Sequence, residues 1–170
     1  AEQSFDGGLG RLLALLLRIF LPLTLLVLIV YLGFVPFFFW RPFENRDVLI
    51  TYTAMLFAVL ALLLGVTPMT LTGLGATQAR WLRRGIIAVA ALAALVSLYA
   101  LAAITYRTAL EGLTLNRVTF IGWNVINTLL LGLLLVRQVR SGAGDWLRAV
   151  QNTFGLGCLL YAAWAAFVIF

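Results

Sequence analysis

The sequence predicts an all-α fold: an integral membrane bundle of five transmembrane helices, forming a single membrane domain over residues 1–170. Three observations carry this reading. The chain is 64% hydrophobic and only 11% charged, whereas soluble domains run near ~45–50% apolar and ~25% charged. A water-soluble fold of this length cannot hide so much apolar surface, so lipid is the expected solvent. The apolar residues gather into five runs, each near the ~20 residues that carry a helix across a ~30 Å hydrocarbon core. None of the runs alternates as a barrel strand would, and backbone groups in lipid must then be satisfied within helices.

Ahead of the first run, LGRLLALLLR (Leu9–Arg18) sets Arg11 and Arg18 on one helical face. That pattern suits an interfacial helix over 9–18. The first span is expected over 19–39. Pro22 lies near its start, where a missing N–H is harmless, and Pro36 lies where it would kink the helix. The cluster Phe34–Trp40 reads as an aromatic belt at the membrane surface, and Pro42 follows it.

The second span is expected over 48–66, closed by Pro68. The connection 67–84 ends in QARWLRR, a Trp and Arg mixture suited to an interface-lying turn. Gly85 opens the third span, expected over 85–104. This helix is rich in Ala, and Ala90 with Ala94, and Ala93 with Ser97, have the small-xxx-small spacing that lets helices approach closely. The fourth span is expected over 118–136 and SGAG (Ser141–Gly144) separates it from the fifth, 149–170. Gly155 and Gly157 near the start of the fifth span carry the same packing implication. The chain opens on Ala1 and closes inside an apolar run at Phe170, from which we expect it to be part of a longer protein.

Between the third and fourth spans stands ITYRTALEGLTLNRVTF (Ile104–Phe120). Arg107 and Glu111 are four apart and can pair on a helix. Gly112 suits the left-handed position just past a helix end, and Thr114 suits an N-cap. Arg117 falls at the third helical position, where a capping box would need Glu, so no box is expected. The segment reads as a helix–turn–helix connection at the membrane face.

All twelve basic residues are Arg. Arg11, Arg18, Arg80, Arg83, Arg84, Arg137, Arg140 and Arg148 fall on one side of the expected membrane, and Arg41, Arg46, Arg107 and Arg117 on the other. The excess of positive charge in short loops marks the cytoplasmic side, which places the N-terminus in the cytoplasm. These Arg residues flank apolar runs instead of lining a face on a soluble scaffold, so nucleic acid is not an expected partner.

The chemistry available to the chain is narrow. With no His, a nucleophile–base pair lacks its usual base and haem its usual ligand. One cysteine, Cys158, cannot form an internal disulfide, and it reads as a small buried hydrophobe. Six carboxylates are spread along the chain, with no cluster of metal ligands. No catalytic residue, metal or cofactor is expected, and the chain is not expected to be an enzyme.

The fourth span is the exception to the apolar pattern. Asn124, Asn127 and Thr128 share one helical face by their spacing, with Arg117 two turns earlier. Tyr161 on the fifth span and Ser97 or Tyr99 on the third lie at similar depth. Such a face either hydrogen-bonds neighbouring helices or lines a polar path. The leading expectation is a non-catalytic scaffold or accessory subunit that packs against other membrane protein subunits and membrane lipids. The alternatives are a small transporter or lipid-binding protein using this face, and the membrane anchor of a longer chain.

The element AITYRTALEGLTLNR resembles the C-terminal part of a family of uncharacterised bacterial multi-pass membrane proteins, a domain of unknown function. In that family AI-x-x-R is followed by Y-G-[LI]-T-x-x-R. Ala103, Ile104 and Arg107 match the first part, and Gly112, Leu113, Thr114 and Arg117 the second. Glu111 stands where the family usually has Tyr. The similarity runs over the first two-thirds to three-quarters of the chain. It implies a bacterial protein of the inner membrane, and it implies no activity.

Overall fold

The structure, a computed structural model, describes residues 19–44, 46–68, 75–142 and 144–169. The expected interfacial helix 9–18 lies outside these. All regular structure among the described residues is helical, and five helices are long and apolar enough to cross a membrane. The chain is therefore a polytopic membrane protein.

Helix α1 covers Ile19–Phe38, and its last turn is the 3-10 helix Val35–Phe38. Pro36 explains the change: it has no N–H to return to the preceding turn and its ring crowds that turn. A single turn, α2 (Arg41–Glu44), leads into α3 (Arg46–Val66). Three long helices follow: α4 (Ala76–Glu111), α5 (Leu115–Arg140) and α6 (Trp146–Ile169).

The third span departs from expectation. QARWLRR is not a turn; it forms the opening turns of α4, which begins at Ala76. The segment holds strong helix formers and no Pro, and Leu82 is buried in the core. Gly85 is not a helix opener either. A Cβ there would stand 2.2 Å from Leu21 Cδ2, so this glycine admits α1 against α4. At 36 residues, α4 is about 54 Å long, well beyond a ~30 Å hydrocarbon core. The helix is therefore longer than a crossing requires.

Helix α4 is the centre of the bundle. Half of its most apolar stretch is buried, against 11% for α1. Ala90, Ala93 and Ser97 are fully enclosed, as their spacing predicts, while Ala94 is partly buried against the same core. Leu56 and Leu63 of α3, Ile86 and Val89 of α4, Leu131 and Leu134 of α5, and Val150 of α6 form the shared core. Gly157 meets Leu130, whose Cδ1 would stand 3.0 Å from an added Cβ, whereas Gly155 faces open space. Only one of the two glycines in α6 serves packing.

Helix α1 touches this core through Leu21 and Leu28 and leaves Leu23, Leu26, Ile29 and Val30 exposed. In a bilayer such residues meet lipid tails, which are as apolar as they are. Cys158 corrects the sequence reading in the same way. It is exposed on α6, because lipid accepts a small apolar side chain as readily as a protein core does.

Candidate functional site

The polar face of α5 lies near the middle of the helix, and each of its three side chains makes a helix–helix contact. Asn124 Nδ2 donates to Thr53 Oγ1 of α3 at 3.1 Å and to the Phe120 carbonyl at 2.9 Å. Thr53 itself donates to the Leu49 carbonyl at 3.0 Å. Thr128 donates to the Asn124 carbonyl at 2.8 Å. Its only hydrogen thus committed, it accepts from Ser97 Oγ of α4 at 2.7 Å. Asn127 Oδ1 accepts from the Tyr161 hydroxyl of α6. Each of the three side chains thus reaches a different neighbouring helix. Around the last pair, the Trp123 and Tyr161 rings stack at 5.5 Å, with Phe57 edge-on to Trp123 at 5.6 Å.

Of the partners expected at this depth, Tyr161 and Ser97 meet the α5 face. Tyr99 does not. Its hydroxyl donates to the Phe39 carbonyl at 2.6 Å and ties the end of α1 to α4. Thr53 was not singled out in the sequence; its signal is a lone hydroxyl within an apolar run. Asn124 Oδ1 and Asn127 Nδ2 are buried with no partner, so each amide is anchored by one end.

The second constellation is the α4–α5 turn. Gly112 ends α4 with φ +83°, a region that favours glycine, and its N–H donates to the Thr108 carbonyl at 3.0 Å. Thr114 Oγ1 accepts the Arg117 N–H at 3.4 Å as an N-cap. No capping box forms. Arg117 instead folds back across the turn, donating from Nη1 to the Gly112 carbonyl at 2.7 Å and from Nη2 to the Glu111 carboxylate. Arg107 Nη2 stands 3.5 Å from the other Glu111 oxygen. The Arg107–Glu111 pair follows from four-residue spacing. The Arg117–Glu111 pair depends on the turn geometry, which spacing alone does not give.

Donation from Arg117, aided by the field of Arg107, holds the Glu111 carboxyl below the usual carboxylate range. The two guanidinium side chains are 14% and 21% exposed and the carboxylate side chain 51%. A cavity of about 250 Å³ opens beside them, between the turn and the start of α3. Leu49, Ile50, Ile104 and Phe120 form its apolar wall, and Arg107, Thr114, Asn116 and Arg117 its polar wall. Leu49, Ile50 and Asn116 carry no sequence signal for this; helix packing alone brings them here.

Toward the opposite end of α4, Arg83 donates from Nη2 to the Gln138 and Ser141 carbonyls at 2.7 and 2.9 Å. They belong to the last turn of α5 and to its C-cap, where no intrahelical N–H is available; the Gln138 carbonyl also accepts from Ser141 Oγ at 3.2 Å. Among the described residues no group of His, Cys, Asp and Glu side chains converges as metal ligands would. Fold and site together define the class: a helical membrane protein with a polar seam inside the bundle and a cationic cavity at one face. No family model, curated protein or solved structure matches the chain.

Proposed function

We propose that this chain is a non-catalytic membrane subunit, a scaffold or accessory protein that packs against other membrane proteins. The observation that carries this reading is the distribution of the α5 polar side chains. Asn124, Asn127 and Thr128 bind to α3, α6 and α4 respectively. Hydrogen bonds arranged in this way fix the relative positions of four helices. A substrate path calls for the same groups to face an open cavity, and neither Asn124 nor Asn127 lines the cavity at the turn. The apolar outer faces of α1 and α6 offer surface to lipid and to partner subunits alike.

The Arg distribution supports a cytoplasmic N-terminus, and the resemblance of the α4–α5 turn supports a bacterial inner membrane. Gentle detergent extraction from native membranes, a native gel and mass spectrometry of the band test the proposal. Stoichiometric co-migration with other membrane proteins is the expected result. Migration alone, or only with copies of itself, overturns it.

The unpartnered amide ends of Asn124 and Asn127 favour a second reading, a small transporter. Loss of a measured flux in Asn127→Leu without loss of folding would establish that reading.

A further inference from the structure

The cavity at the α4–α5 turn has features that bundle packing does not require. Two guanidinium groups, each more than three-quarters buried, face it with a single carboxylate between them. The trio carries one net positive charge. Glu111 is half exposed and stands on the last residue of α4, so it can swing toward water and release both cations. Helix α5 starts at the same place. Thr114 takes the N–H groups of Arg117 and Val118, and those of Leu115 and Asn116 have no intrahelical acceptor by position. A helix N-terminus adds partial positive charge there.

The other wall is apolar and opens toward the lipid-facing side through Ile50, which is 39% exposed. The cavity lies at the charged C-terminal end of α4, the kind of helix end that meets a membrane surface. At about 250 Å³ it suits a headgroup with its first methylenes, not a whole acyl chain.

We infer that this cavity binds the phosphate of an anionic membrane lipid. Arg107 and Arg117 pair with its oxygens, and Leu49, Ile50, Ile104 and Phe120 cover its glycerol end. Guanidinium matches phosphate geometry through paired N–H donors. Net positive charge selects a singly anionic diester such as phosphatidylglycerol over a zwitterionic lipid. Glu111 competes with the phosphate for the same donors.

The test uses the full chain purified in detergent, with lipid retention titrated by native mass spectrometry. Phosphatidylglycerol is compared with phosphatidylcholine, and soluble glycerol phosphate is added as a competitor. Wild type is expected to retain phosphatidylglycerol in preference. Arg107→Gln is expected to weaken that retention by roughly tenfold or more, the scale of one hydrogen bond to a charged group. Glu111→Gln is expected to strengthen it. Arg148→Gln, an exposed charge at the start of α6, controls for general charge and is expected to change nothing.

Equal retention of the two lipids overturns the inference, as does equal weakening by Arg107→Gln and Arg148→Gln. Displacement by glycerol phosphate at concentrations comparable to the lipid also overturns it, in favour of a soluble phosphate ester. If Arg107→Gln does not fold, Glu111→Gln decides: unchanged or weaker phosphatidylglycerol retention refutes the site.

Discussion

Asn127 is fully buried in α5, and its one hydrogen bond comes from the Tyr161 hydroxyl. In Tyr161→Phe the amide loses that partner. The expected loss is ~0.6 kcal/mol and at most ~1.7, the range for interhelical bonds in membranes. Asn127→Leu should likewise leave the bundle folded with a modest loss. A double-mutant cycle of the two, read by reversible unfolding in detergent micelles, should return a coupling of this size. Coupling near zero would show that the hydroxyl and amide do not meet. Gly122 makes a sharper case. A Cβ at this position would stand 1.9 Å from Trp164 Cζ2. We expect Gly122→Ala to destabilise by about 1–3 kcal/mol, the usual penalty for overpacking, and a second change, Trp164→Leu, to restore most of the loss. The Asn124, Asn127 and Thr128 face was legible because helical spacing alone places these residues together. Tyr99 was not, since its acceptor is a carbonyl at Phe39, where the 3-10 turn of α1 ends. Gly122 was equally silent: a glycine shows its purpose only once the facing indole is known.

At the scale of the element, helix identity was plain in the sequence and helix extent was not. Apolar runs mark where a helix meets lipid, but a helix continues into water for as long as its residues favour it. That is why α4 begins at Ala76 and ends at Glu111, and why Gly85, inside it, marks a close approach by Leu21. The Gly112 and Thr114 stop and start signals were readable because both act locally, through backbone conformation and a hydroxyl cap. The cap on the other end of α5 is remote. Arg83 reaches it from α4, across 55 residues of chain to Gln138, and no local pattern announces it. Arg83→Met should strand the Ser141 carbonyl, leave the Gln138 carbonyl only the Ser141 hydroxyl, and weaken the last turn of α5, at a cost of about 1.5–3 kcal/mol for lost charged hydrogen bonds. Amide exchange should quicken at Val139–Ser141 and stay slow at Ile126–Leu134. Uniform quickening along α5 would mean that the cap holds the whole helix and not its end alone.

At the scale of the whole molecule, the orientation expected from the Arg distribution is open to test. With Cys158→Ala as background, Glu111→Cys should react with a membrane-impermeant maleimide in intact cells, and Arg148→Cys only after permeabilisation. The reverse pattern would invert the orientation that the Arg distribution favours. Both positions are exposed in the structure, so packing within the bundle blocks neither label. The turn Gly112–Thr114 bears on how the chain reaches the bilayer in the first place. It is too short to let α4 and α5 travel apart, and α5 carries amides and a hydroxyl that meet hydrocarbon poorly when alone. During synthesis α4 emerges first and brings the Ser97 hydroxyl, the partner that Thr128 needs. The two helices are therefore expected to enter the bilayer as a hairpin, with a Ser97→Ala change lowering the yield of inserted α5.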